Sequence, residues 1–374
     1  MKNTNRIAIV GAGVAGIALA ILAAQQGYQV NVYERDSKVS SIGAGVTLWP
    51  NAIFVLQQMG LEKELKRLGG TPRLMRQFDQ FGAWQGELDL EEVNLLSGFP
   101  SITILRRDLM SILAERLDDL GVKIHLGWPM TTQDIDRLKQ EFDVVVGADG
   151  RMNSVVRHTL YAEKVSPRYQ GFINIIGISQ LNKGVLNNAI HDFRGVGERF
   201  GIVPVNNGLC FWAGAWNADI DKQRPLSAWY DELHQRFRCW PAPVRNVLKF
   251  YDAASLNRIF VHDLDPLPYW HQDNVVIIGD AAHASLPTSG QGACQALEDA
   301  WHLVRLLGEQ GELESVLTSF YQQRIVKTSS AQTVGRQAAE RIFGTQLVSQ
   351  PATLGISAEQ LSLLWMQGLE TQQA

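Results

Sequence analysis

The chain has 374 residues, 45% of them hydrophobic, with 34 Lys and Arg against 38 Asp and Glu for a net charge of −4. That length suits two or three domains with an ample core, and the charge balance excludes a disordered polyelectrolyte and leaves no global field to attract nucleic acid. Cys210, Cys239 and Cys294 are too few and too scattered for a disulfide framework, and no CxxC pair occurs, which points to a reducing, cytoplasmic setting.

Ile7–Ala24 is an uncharged, mostly apolar run, but Gly11, Gly13 and Gly16 interrupt it. It therefore reads as a buried strand, Ile7–Val10, and a helix, Ala15–Gln26, rather than a membrane span. A second strand, Gln29–Tyr33, ends at Glu34. Helices are predicted at Asn51–Met59 and Leu61–Leu68, a β-like stretch over Thr71–Ile104, and an amphipathic helix over Arg107–Leu120. Val122–Leu126 and the apolar run Phe142–Gly147 read as strands, the latter buried on both faces. From about Val165 to Phe260, aromatic and β-branched runs alternate with Asn-Asn-Gly and Gly-Val-Gly punctuation, as in a mostly antiparallel sheet with some helix. Asn274–Ile278 is again a short buried strand, followed by a glycine-rich loop, a helix from about Gln291, and a mostly helical Leu313–Gln350. The expected fold is α/β. A Rossmann-like unit (residues 1–70, 101–164 and 271–345) is interrupted by a mostly antiparallel β-sheet domain (71–100 and 165–270), and a helical tail covers 346–374.

The chemistry starts at Gly11-Ala-Gly13-Val-Ala-Gly16, between strand and helix. Gly11 permits the tight turn, Gly13 lets backbone approach a pyrophosphate, and Gly16 allows close helix–strand contact. The free N–H groups of the helix start favour phosphate. Glu34 stands 21 residues after Gly13, where a carboxylate can accept both hydroxyls of an adenosine ribose. These residues leave NAD and FAD both open.

Two further motifs narrow the choice: Asp143-Val-Val-Val-Gly-Ala-Asp149-Gly150 running to Arg157, and Asn274-Val-Val-Ile-Ile-Gly279-Asp280 running through Pro287 and Gly290-Gln291-Gly292-Ala293-Cys294 to Ala300. With them the chain resembles the group A flavoprotein monooxygenases, the family with the p-hydroxybenzoate hydroxylase fold. The resemblance implies FAD as cofactor. Gly11, Gly13, Gly16, Glu34 and Arg35 would hold its ADP half, Arg106 the flavin side, and Asp280 the ribityl chain. Gly290, Gln291, Gly292 and Ala293 would offer backbone N–H groups to the isoalloxazine edge, and Ala15, Val46, Met130 and Pro287 belong to the same expected surroundings. Asp149 is similar to the aspartate this family places near the pyrophosphate and the NAD(P)H approach, with an Asp149–Arg157 ion pair capping a helix as the competing reading. His283 is expected to bond structurally, and Cys294 to be a small buried residue.

Trp49-Pro50-Asn51, Asp263-Leu-Asp265-Pro266 and Gly290–Cys294 look similar to the FAD-dependent urate hydroxylase branch. Arg199 matches that branch's substrate-contacting arginine, whereas its tyrosine on the next strand is Phe211 here. The resemblance implies that NADH or NADPH reduces FAD. O₂ then forms a C4a-hydroperoxide that passes one oxygen to a planar aromatic, heteroaromatic or unsaturated small molecule. No nucleic-acid or membrane partner is expected, and the protein would be a monomer or homodimer. A protein partner as substrate and a non-catalytic binding protein are the alternatives.

Overall fold

The computed structural model describes residues 5–39, 43–162, 164–182, 184, 186–344 and 356–369. A six-stranded sheet runs in the order His271–Gln272, Val275–Ile277, Val144–Gly147, Arg6–Val10, Gln29–Tyr33, Ile124–His125; every pairing is parallel except that of the first two strands. Val144, Val145 and Val146 are fully buried, as expected of a strand covered on both faces. Helix Val14–Gln25 is apolar all round and buries ten residues, because helices Arg106–Asp119 and Gly292–Leu307 close over the side turned away from the sheet.

A seven-stranded sheet has the order Asn257–Asp263, Arg168–Gln180, Leu209–Asn217, Glu198–Pro204, Ala189–Gly195, Leu74–Asp79, Trp84–Asp89. It is antiparallel apart from the pairing of Ala189–Gly195 with Leu74–Asp79. Its outer face buries Phe200, Trp212 and Trp216 under helices Leu226–Phe237 and Ala242–Lys249. The inner face meets the first unit around Ala44 and Leu105, beside the small ladder of Gly45–Leu48 with Ile102–Leu105. The α/β architecture with an inserted, mostly antiparallel sheet is thus the one expected.

Two helices depart from the sequence reading. Leu90–Ser97 lies inside the stretch read as β-like: the Asp89 carboxylate accepts from Glu92 N at 3.0 Å, and Gly98 ends the helix at φ 74°. Thr132–Glu141 was not anticipated and opens on a capping box formed by Thr131 and Asp134. Leu313–Phe343 forms one 31-residue helix. In the tail, Ala358–Met366 is helical behind a Ser357–Gln360 capping box, while 345–355 and 370–374 lie outside the described residues. Among the described residues no helix is long and apolar enough to cross a membrane.

Candidate functional site

The glycine turn is held by contacts that leave no room for side chains. A Cβ on Gly11 (φ 107°) would lie 2.3 Å from Ala148 O, and one on Gly16 would lie 1.9 Å from Gly11 O. Gly13 differs, with nothing within 4 Å of its would-be Cβ, so open space adjoins the helix start. No side chain caps that helix and its first turn carries no acid, which leaves its N–H groups available to an anion. Glu34 Oε2 accepts from Ala12 N at 2.8 Å and Oε1 from Asp36 N at 3.0 Å, which fixes the carboxylate beside the turn with lone pairs to spare. Arg35 is exposed and 3.7 Å from Asp36; Met130 packs at the edge of the core in the loop before Thr131.

Asp149 caps helix Val155–Tyr161. Its Oδ1 accepts from Ser154 Oγ at 2.5 Å and its Oδ2 from Val156 N at 3.2 Å, while burial pushes its carboxyl above the usual range. The ion pair with Arg157 is not formed. Arg157 is fully buried and donates to Arg151 O at 2.6 Å and Ala281 O at 3.0 Å, tying the Asp149 loop to the Asp280 turn. A carboxylate already satisfied by a hydroxyl and an amide leaves the guanidinium to the carbonyls.

Arg106 opens helix Arg106–Asp119 and is folded against Gly43, where a Cβ would come within 2.7 Å of its Cδ. Burial pulls its pKa down, the nearby Asp280 opposes this, and its Nε has no partner among the described residues. Asp280 begins a short helix after Gly279 (φ 58°), whose would-be Cβ lies 3.0 Å from that of Ala15. Pro287–Ser289 forms a 3₁₀ turn into Gly290 (φ 64°), and Gly292 and Ala293 are the uncapped first residues of helix Gly292–Leu307. Val46 pairs with Ile104 across the small ladder. These residues fit FAD: two uncapped helix starts without first-turn acids, open space at Gly13, and a buried Arg106 Nε without a partner among the described residues. His283 Nε2 sits 2.5 Å from Asp299 Oδ2, both buried. Burial raises the Asp299 pKa, but His283 and Arg324 outweigh it and hold the carboxyl down at about 2. Cys294 is buried, its thiol pushed up to about 12 by that burial.

Ladder register assigns Arg199, Gly201 and Val203 to the inner face, opposite Ala215, Ala213 and Phe211 on the next strand. Phe211 rests on Gly45, whose would-be Cβ would lie 2.1 Å from the ring. Nothing lies within 4 Å of a Cβ on Gly201, so the face is open between Arg199 and Phe211. Arg199 Nε lies 2.5 Å from Asp192 Oδ1, and Arg194 Nη2 2.8 Å from Asp192 Oδ2. Burial alone would raise the Asp192 pKa; Arg199 and Arg194 hold it below the usual carboxylate range. Sequence reasoning did not find Asp192 or Arg194. The signal was the Gly195-Val-Gly197 turn, since a hairpin closing there sets Arg194 opposite Arg199 and puts Asp192 on the same face. It also missed the buried polar cluster of Asn51, Glu298, Arg324 and Lys327, whose members come from separate segments.

A family model described as "FAD binding domain" matches residues 4–325. The aurachin C monooxygenase/isomerase of Stigmatella aurantiaca is 29% identical, over 88% of this chain and 87% of its own. The FAD-dependent urate hydroxylase of Mycolicibacterium vanbaalenii is 28% identical, over 79% and 78%. Among solved structures, Klebsiella pneumoniae HpxO complexed with FAD and uric acid superposes with a TM-score of 0.81 at 22% identity, covering 92% of this chain and 90% of that one.

Proposed function

Since the chain belongs to the FAD-binding group A flavoprotein monooxygenases and takes FAD as its cofactor, we propose that it draws electrons from NADH or NADPH to insert one oxygen atom of O₂ into a planar, electron-rich small molecule. In this reading residues 1–70, 101–164 and 271–345 bind the cofactor, and 71–100 with 165–270 cover the substrate. The observation that carries it is the opening over Gly201. It lies on the sheet face turned toward Ala44 and Leu105, is walled by Phe211 and Ala213, and has the guanidinium of Arg199 on the same face.

FAD supplies the redox and oxygen chemistry when bound; the chain's task is to bind, orient and exclude water. Gly11, Gly13 and Gly16 would present the helix start to the pyrophosphate, and Glu34 would accept from the ribose. Arg106 and Asp280 would hold the ring and ribityl side, and Gly290–Ala293 would offer N–H groups to the ring edge. Arg199, steadied by Asp192, binds an anionic or strongly accepting group of the substrate. Phe211 and Ala213 provide flat, dry walls and no hydroxyl.

Anaerobic stopped-flow reduction by NADH and NADPH, with urate and a panel of phenolic and heteroaromatic acids, tests the reading. One compound should speed reduction, and Arg199→Ala should raise the KM for it by about tenfold or more or divert reducing equivalents to peroxide. Unchanged KM and coupling in Arg199→Ala would remove Arg199 from the substrate site.

A further inference from the structure

Behind the Gly290–Ala293 loop stands the tail helix Ala358–Met366, joined to it by a chain of contacts that the cofactor reading does not use. Trp49 Nε1 donates to Gly290 O at 2.8 Å, the carbonyl of a residue held at φ 64°. The Trp49 ring stacks on Trp365, centroids 4.8 Å apart and planes 27° apart, with both residues buried. Lys327 Nζ donates to Trp365 O at 2.6 Å and Gln367 O at 3.1 Å, taking up carbonyls at the end of the tail helix. The same ammonium lies 2.9 Å from Glu298 Oε2, and Glu298 Oε1 accepts at 2.6 Å from Asn51 Nδ2, which also donates to Gln291 Oε1 at 3.0 Å. Arg324 closes the set on Glu298 (2.6 Å) and Asp299 (2.8 Å), and Asp299 accepts from Gly279 N at 2.8 Å.

The tail helix packs on helix Leu90–Ser97, where Ser362 Oγ accepts from Ser97 Oγ at 3.0 Å, and through the contacts above it also reaches Trp49–Asn51, Gly279 and Gly290–Gln291. The buried charges of Arg324 and Lys327 are matched one for one by Glu298 and Asp299, and the fixed hydrogen bonds of the cluster hold the segments that carry them in place. We propose that Trp365 and Lys327 are positioning residues for the flavin ring, the tail helix acting as a clamp that sets the Gly290 loop through Trp49. The proposal rests on the placement of the ring edge against Gly290–Ala293 given above.

The test titrates FAD into apoprotein by fluorescence and records visible circular dichroism of the bound flavin, beside the melting temperature of each full-length variant. Trp365→Leu should bind FAD about tenfold more weakly and alter the flavin dichroism, while Trp365→Phe, which keeps a stacking ring, retains both. Wild-type affinity and dichroism in Trp365→Leu would overturn the clamp. Should that variant not fold, Lys327→Gln poses the same question with the stacked rings intact, and wild-type values there overturn it equally. Gly292→Val separates the two readings, because its Cβ meets only Ser285 Oγ at 3.8 Å and the fold can accept it. If it binds FAD normally, the ring is not at this loop and both readings fall. If it loses FAD while the Trp365 and Lys327 variants do not, the clamp alone falls.

Discussion

Asp192 is 1% exposed and holds two guanidiniums on the sheet face where the substrate is proposed to sit. Changing it to Asn removes the counter-charge of both. Asp192→Asn should destabilise the protein by about 2 kcal/mol in urea unfolding at neutral pH, since the buried counter-charge is lost and one of its two acceptor oxygens becomes a donor facing a guanidinium, while the arginines keep partial access to water. It should also loosen Arg199 and raise the substrate KM, and an unchanged KM would show that Arg199 needs no such support. The cysteines give a cleaner prediction. Burial pushes Cys210 and Cys294 to about 12, whereas Cys239 is exposed. A thiol reagent at pH 8 should therefore label one site per native chain and three after denaturation. At this scale the sequence was legible wherever one short segment carries the chemistry. Gly11, Gly13, Gly16 and Glu34 announce themselves by spacing, and Glu34 indeed stands on the Ala12 amide. Asp149 and Arg157 misled, because sequence proximity suggests an ion pair while the nearer Ser154 hydroxyl and the Ala281 carbonyl take the two groups instead.

Helix Val14–Gln25 shows why elements succeed or fail as predictions. Its sequence is apolar on every side, so amphipathic period gives no direction, and the glycine pattern before it had to locate the start. The geometry makes the cost of change plain: a methyl on Gly16 would overlap Gly11 O. Gly16→Ala should cost about 2–3 kcal/mol in denaturant unfolding and yield protein without bound flavin colour. A yellow variant of wild-type stability would contradict the tight turn. Helix Leu90–Ser97 was readable in principle from Asp89-x-x-Glu92 and Gly98, but the flanking strands are β-rich and drew the whole stretch into one class. The clamp helix Ala358–Met366 carried its own capping box, yet its purpose depends on Trp49, more than 300 residues earlier, and no local pattern reports that.

For the whole molecule, two of the buried histidines, His191 and His302, lie on different units and make the fold sensitive to acid. Burial, helped by Arg76, pulls His191 from 6.5 to about 4. Burial, with Arg324 and Arg305, pulls His302 to about 3. Both are depressed below their unfolded values, so the unfolded chain takes up the protons first and the fold loses stability as pH falls below about 6.5. The slope should approach about 1.4 kcal/mol per pH unit for each histidine, and His302→Gln should remove about half of the combined effect in unfolding curves taken between pH 7 and 5. A slope unaltered by that substitution would assign the acid sensitivity elsewhere.

The strand order of the six-stranded sheet also bears on how the protein is made. Val144–Gly147 leaves the ribosome with its inner neighbour Arg6–Val10 already available, but its outer neighbour Val275–Ile277 follows 130 residues later. At cellular rates of synthesis, that interval lasts on the order of 10 s. Throughout it, a fully apolar strand has one open hydrogen-bonding edge, and neither Asp280 nor the Gly290 turn yet exists. Nascent chains arrested near residue 260 should accordingly bind a hydrophobic-surface dye and a holdase chaperone, and chains released past residue 343 should bind neither. FAD would then act as a late check on assembly, retained only by chains that have brought both ends of the sequence together.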